Sequence, residues 1–224
     1  MRISRHKQGF TLIELLVALG LLGALLGVLF SVESSVIQAS GKQQATAARL
    51  GVITDLTGYV GDRLKTAALL PDGLLLGGAA CLRSPPADTL PCLAVVTPQV
   101  SGGAVAVWEL HAFRYVSPAT LSAQEATPHL QGANVALKEL IVTGTCGAAA
   151  PVNATLSSCF AGTPVVSLLS DELALPVGAE AFAYDAAQRL VVLNLRSVSS
   201  VRGQLTYLPA GSNSTLKIYA RNVE

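Results

Sequence analysis

The stretch Lys7-Gln8-Gly9-Phe10-Thr11-Leu12-Ile13-Glu14 opens a run of 23 residues, Phe10 to Val32 (FTLIELLVALGLLGALLGVLFSV), that carries one charge, Glu14. As an α-helix this run reaches about 35 Å, enough for a hydrocarbon core of about 30 Å. The nine residues before it, Met1 to Gly9, are polar and include Arg2, Arg5 and Lys7. The positive-inside rule places that end in the cytoplasm and directs the rest of the chain outward. A carboxylate at the centre of a membrane helix costs about 2.5–3.5 kcal/mol on insertion scales, so Glu14 is expected to face a partner.

In an ordinary secretory signal the cleavage site follows the apolar region. Here the change of character precedes it, and the boundary Lys7 to Glu14 resembles the class III signal of type IV prepilins and type II secretion pseudopilins. The resemblance implies a cut after Gly9 by a membrane-embedded prepilin peptidase and N-methylation of Phe10 as the new first residue. It also implies a filament-assembly role for Glu14, pairing with the terminal amine of a neighbouring subunit. The implied partners are other pilins or pseudopilins through the N-terminal helix, the peptidase/methyltransferase, and the inner membrane before assembly. Gly20, Gly23 and Gly27 lie inside the run, and Gly23 to Gly27 is a GxxxG that permits close helix approach. Members of the family can unwind in this region near a proline at about position 31, where this chain has Ser31.

Working outward, no proline occurs before Pro71, and all 11 fall between Pro71 and Pro209. Leu50, Ile53, Leu56, Val60 and Leu64 recur at three- and four-residue steps, the pattern of an amphipathic helix with one buried stripe. One long helix is expected from about Thr11 to Ala68, weakened near Gly41 and between Gly51 and Gly61, with its second half packed on a C-terminal head. In that head, short β-rich runs cover Leu93–Val100, Ala104–Val116, Val135–Val142, Val165–Leu169, Glu180–Tyr184, Leu190–Val198, Gln204–Leu208 and Thr215–Ala220. Asp185 to Gln188 is expected to close one hairpin and Pro209 to Asn213 another, with turns at Gly77-Gly78 and Gly102-Gly103. The expected fold class is α+β: a long N-terminal helix packed on a C-terminal antiparallel sheet. The expected segments are a leader 1–9, a membrane or filament-core helix 10–32, a distal stem 33–70 and a β-rich head 71–224.

Composition narrows the function classes. The 224 residues are 51% hydrophobic and 13% charged, which excludes a disordered chain, and the net charge of +1 gives no global attraction to a polyanion. The head from residue 71 carries 8 basic and 10 acidic residues, so its low charge is its own and hints at surface buried by assembly. Cys81, Cys92, Cys146 and Cys159 allow three disulfide connectivities. The short loops favour Cys81 with Cys92 and Cys146 with Cys159, and zinc is disfavoured because no Cys-x-x-Cys knuckle is present.

No nucleophile elbow, HExxH or P-loop occurs, so no catalytic residue and no cofactor are assigned. His111 and His129 are expected to be solvated or hydrogen-bonded, and Asp171-Glu172 to lie in a solvated loop. Five basic residues, Arg189, Arg196, Arg202, Lys217 and Arg221, share the last 36 positions with one acid and with Tyr207 and Tyr219. They are candidate contacts to single-stranded DNA. Strand alternation weighs against one patch.

Ala48-Arg49-Leu50 to Leu64-Lys65-Thr66-Ala67, Glu180 to Asp185 and Lys217 to Asn222 resemble large minor pilins of the PilW kind and J-type pseudopilins. A structural minor pilin that primes, caps or decorates a type IV pilus used in adhesion, twitching or DNA uptake is therefore expected. The alternatives are a secretion pseudopilin, a DNA-receptor pilin of a competence system, and a membrane-anchored periplasmic enzyme.

Overall fold

The computed structural model describes residues 11–125, 134–147, 150–201, 204–220 and 223. The chain divides into two compact units, one ending at Ala47 and one running from Ala48 to Glu224. The first unit is helical, and every residue from Thr11 to Gln44 is exposed. Its leucines, valines and Phe30 are therefore left largely uncovered within the unit.

Helix α1 runs unbroken over Leu12–Lys65. The weakening expected at Gly41 and from Gly51 to Gly61 does not appear as an interruption. Each glycine costs about 1 kcal/mol relative to alanine, but a long helix rich in Ala and Leu absorbs isolated losses. Ser31 does not open the helix either: its carbonyl accepts from the hydroxyls of Ser34 and Ser35, each at 2.9 Å. The helix ends at the head, where Ala68 N–H donates to Val96 O and Val96 N–H to Leu69 O. Pro71 comes next, with no N–H to continue a helix.

In the second unit, β3 (Cys92–Ser101), β4 (Ala104–Val116), β5 (Val135–Thr143) and β6 (Val165–Ala174) form an antiparallel meander. Strand β8 (Leu190–Val201) continues the sheet and serves four neighbours. On one edge its residues 196–197 pair with β6, and residues 190–193 with β7 (Phe182–Asp185). On the other edge residues 197–201 pair with β9 (Gln204–Leu208), and residues 190–195 with β10 (Ser214–Tyr219). The turn between β7 and β8 is the expected hairpin.

Pro209 to Asn213 does not turn a hairpin. Strands β9 and β10 run in the same direction along the same edge of β8, so the five residues are an excursion between two halves of one interrupted strand. Local turn residues cannot distinguish the two cases, because pairing with a third strand decides between them.

Alternation gives the sheet two buried faces. On one, Leu93, Val95, Phe113, Tyr115, Leu137, Leu173 and Leu193 pack with Leu56, Val60 and Leu64 of α1. On the other, Ala94, Val96, Trp108, Leu110, Ala112 and Val142 pack with Leu76, Cys81, Leu156, Cys159 and Phe160. That second face is covered by a small hairpin, β1 (Leu74–Leu76) with β2 (Ala79–Cys81), and by a short helix α2 (Leu156–Cys159). Gly77 and Gly78, at φ of 58° and 82°, supply the turn that residues with a Cβ resist. Arg114 holds the hairpin by donating from Nη2 to the carbonyls of Leu76 (3.0 Å) and Ala79 (2.9 Å).

Gly144 is tightly enclosed. A Cβ there would stand 2.9 Å from Phe160 Cε1, 3.0 Å from Cys159 Sγ and 3.1 Å from Trp108 O, whereas a Cβ on Gly58 would meet no atom within 4 Å. Gly144→Ala is expected to destabilise the detergent-solubilised protein by about 1–3 kcal/mol in urea unfolding, since a backbone oxygen cannot move aside cheaply. Gly58→Ala is expected to be neutral or to stabilise by up to about 1 kcal/mol.

Candidate functional site

Thr11 precedes the first helical turn, and Glu14 is its third residue. Glu14 Oε2 accepts from Thr11 N–H at 3.0 Å and from Thr11 Oγ1 at 2.9 Å, while Glu14 N–H donates back to Thr11 Oγ1 at 3.4 Å. This is a capping box, and it satisfies donors that a helix N-terminus otherwise leaves free. It also places a carboxylate at the positive end of the helix dipole. The signal is present in the sequence as Thr-x-x-Glu before an apolar run, but the cost of a charge in a membrane directs attention to an external partner for Glu14 instead. Gly9 and Phe10 lie outside the described residues. Ideal Cβ atoms on Gly20, Gly23 and Gly27 would meet nothing within 4 Å, so this side of the helix is open.

In the head, the structure joins Cys81 to Cys92 and Cys146 to Cys159. Both bridges lie on the sheet face that carries β1, β2 and α2. Cys81, Cys92 and Cys159 are buried there, with Cys146 packed against them. Among the described residues no group of three His, Cys, Asp or Glu side chains is arranged to hold a metal ion.

Of the five basic residues near the C-terminus, Arg189, Arg196 and Lys217 lie among the described residues. Arg202 and Arg221, like His129, lie outside the described residues. Arg196 stacks its guanidinium 4.2 Å from the centre of the Tyr207 ring. Lys217 is paired in register with Val192, four positions along β8 from Arg196. The loops flanking β8 are tied together: Val177 N–H donates to Asn213 Oδ1 at 2.9 Å and Asn213 Nδ2 to Val177 O at 3.0 Å. Arg189 occupies the turn before β8 at a positive φ of 52°.

Asp171 and Glu172 sit within β6 and not in a solvated loop. Burial raises the Glu172 carboxyl above its ordinary value, and the adjacent Asp171 adds to this against the lowering effect of Arg49. The strand extends five residues past the Val165–Leu169 run because Leu173 and Ala174 bury against the core.

His111 is completely buried in β4, which takes the hydrogen-bonded side of its expectation and not the solvated one. Its Nδ1 lies 2.8 Å from Oε1 of Glu139 in β5, itself 2% exposed. Tyr59 of α1 donates its hydroxyl to both oxygens of Glu139, at 2.9 and 3.1 Å. Its ring meets Phe113 edge-on, with the Arg63 guanidinium 5.5 Å from its centre. Sequence reading misses this network because its members are 28 to 80 positions apart.

A family model described as the prokaryotic N-terminal methylation motif matches residues 4–30. No curated protein and no solved structure matches the chain. The motif, the capped apolar helix and the antiparallel sheet support a type IV pilin-like protein, a pilin or a pseudopilin. The same match implies processing by prepilin peptidase and assembly with other pilins. It suggests a structural subunit and agrees with membrane anchoring through the N-terminal helix.

Two tyrosines give the head a pH limit. Burial raises the hydroxyl of Tyr115, which is wholly enclosed, well above the ordinary value. Tyr59 is raised first by burial, with Glu139 adding and Arg63 opposing. A tyrosine whose folded value exceeds the unfolded value of about 10 contributes its full stability below pH 10 and loses it as pH climbs beyond. The urea midpoint is therefore expected to be flat from pH 8 to about 10 and to fall above it, and Tyr115→Phe is expected to shallow that fall.

Proposed function

We propose that this chain is a minor subunit of a type IV filament, cut after Gly9, N-methylated on Phe10, and assembled by transfer of its apolar helix from the inner membrane into the filament core. The observation that carries the reading is the Thr11–Glu14 cap at the head of a helix exposed on all sides from Thr11 to Gln44. An apolar surface of that extent is stable only in a bilayer or among other helices. In the membrane the leader is cytoplasmic and the head is outside, where an oxidising compartment suits both disulfides. The β-rich head with its two bridged loops supports a specialised subunit that primes, caps or decorates the filament. A type II secretion pseudopilin is the alternative that shares these supports.

Processing is tested by intact-mass and N-terminal analysis of the mature protein. The expected species begins at Phe10 and carries one methyl group; an unmodified chain beginning at Met1 or cut after the apolar run would refute the reading. For assembly, Glu14→Ala is expected to leave the protein in the membrane fraction and reduce its recovery in sheared filaments at least tenfold. Recovery equal to wild type would remove Glu14 from the assembly step.

A further inference from the structure

The distal part of α1 within the second unit buries Ile53, Leu56, Val60 and Leu64. Three of these, Leu56, Val60 and Leu64, are spaced by four, so a slide of the helix by one turn returns apolar residues to part of the stripe, while the Ile53 site would receive Arg49 in one direction and Thr57 in the other. Moved one way, Val52, Leu56 and Val60 occupy the sites of Leu56, Val60 and Leu64. Moved the other way, Val60 and Leu64 occupy the sites of Leu56 and Val60. One-turn displacements of packed helices are a known mode of structural change, and the partial match of the stripe leaves polar contacts to share in selecting the register.

The polar contacts do discriminate. Arg49 Nη1 donates to Thr206 O at 3.2 Å and to Thr206 Oγ1 at 3.0 Å, and Arg49 is 6% exposed. Ten residues on, about 15 Å along the axis, Tyr59 donates to the buried Glu139, whose other contact is His111. A slide in the first direction sets Ala45 at the Arg49 position and Asp55 against the Glu139 carboxylate. A slide in the second sets Ile53 against the Thr206 oxygens and Arg63 at the Tyr59 position. The first displacement breaks both pins and faces two carboxylates at close range, and the second breaks the Arg49 pin.

We infer that Arg49 with Thr206, and Tyr59 with Glu139 and His111, are a two-point register lock that fixes the position of the distal helix along the sheet. The apolar stripe supplies most of the attraction and part of the selection, and the two pins complete the choice of register. Buried polar groups act in this way in coiled coils, where one polar core residue sets the register at some cost in stability. The lock decides where along the sheet the distal helix ends and the connection to β3 begins.

The test uses the full-length protein in detergent with a benzophenone-bearing amino acid at Thr57, a half-buried position on the groove that α1 forms with β10. After illumination, mass spectrometry maps the cross-linked sheet residues. Wild type is expected to give one site. Tyr59→Phe, which removes a single oxygen, and Arg49→Met are each expected to add a second site displaced by about 6 Å, or roughly two strand residues, at a tenth or more of the total. Ile53→Ala, which weakens packing and leaves both pins, is expected to lower the unfolding midpoint while keeping one site. Should either pin variant not fold, the other decides. A single unshifted site in every folded pin variant would overturn the lock and leave these residues as ordinary stabilising contacts.

Discussion

Between Ile53 and Leu64 the helix acquires a buried stripe, and the contact of that stripe with Leu93, Phe113 and Leu137 underlies the rest of the head. Each fully buried Leu or Val contributes about 1.5–3 kcal/mol, so this one contact outweighs any single hydrogen bond in the structure. It also sets the direction in which the sheet faces, because strand alternation then commits every second residue of β3, β4 and β5 to the helix side. The remaining residues of those strands need a second cover. The β1–β2 hairpin and α2 provide it, and the two disulfides fix those short elements, which have little apolar surface of their own, to the sheet.

The strands beyond β6 are organised differently. Strand β8 is long enough to serve β6 and β7 along one edge and β9 and β10 along the other, so four short strands are stabilised by one. Short strands are marginal alone, and here their loops are tied across β8 by Val177 and Asn213. On these strands the Arg196 guanidinium stacks on the Tyr207 ring, and Lys217 stands on β10 opposite Val192.

Much of this is legible in the residues. The helix, its apolar N-terminal half and its buried distal stripe come from periodicity, and the eight longer strands come from alternation between turn residues. The features that escape such reading have a common cause: they depend on partners far apart in the chain. Pro209 to Asn213 looks like a hairpin turn until β8 is known to pair with both flanking strands. His111 alternates with apolar neighbours as an exposed residue would, and Glu139, brought alongside by β5, makes its burial tolerable. The hairpin at Leu74–Leu76 and Ala79–Cys81 is too short to show a period, although its Gly77-Gly78 turn is visible. At the N-terminus the limit is different. The Thr-x-x-Glu spacing is local and readable, but the expectation of a partner outside the helix obscures what Glu14 meets in its own helix.

Three glutamates show how far environment overrides residue type. Glu14 is fully exposed, and its charge is answered within four residues, by the backbone and hydroxyl of Thr11 at the start of its own helix. Glu139 is buried, and its acceptors are filled by a tyrosine 80 positions away and a histidine on the neighbouring strand. Glu172 has burial and a neighbouring acid against it and Arg49 in its favour, and the balance raises its carboxyl. Glu14 can therefore remain capped whether the subunit stands alone or among others, since nothing in its cap is borrowed from elsewhere. Glu139 has no such independence. Its contacts exist only while α1, β4 and β5 hold their register, which makes the carboxylate at the centre of the head a consequence of the tertiary fold, and the carboxylate at the tip of the stem a property of the first turn of a helix.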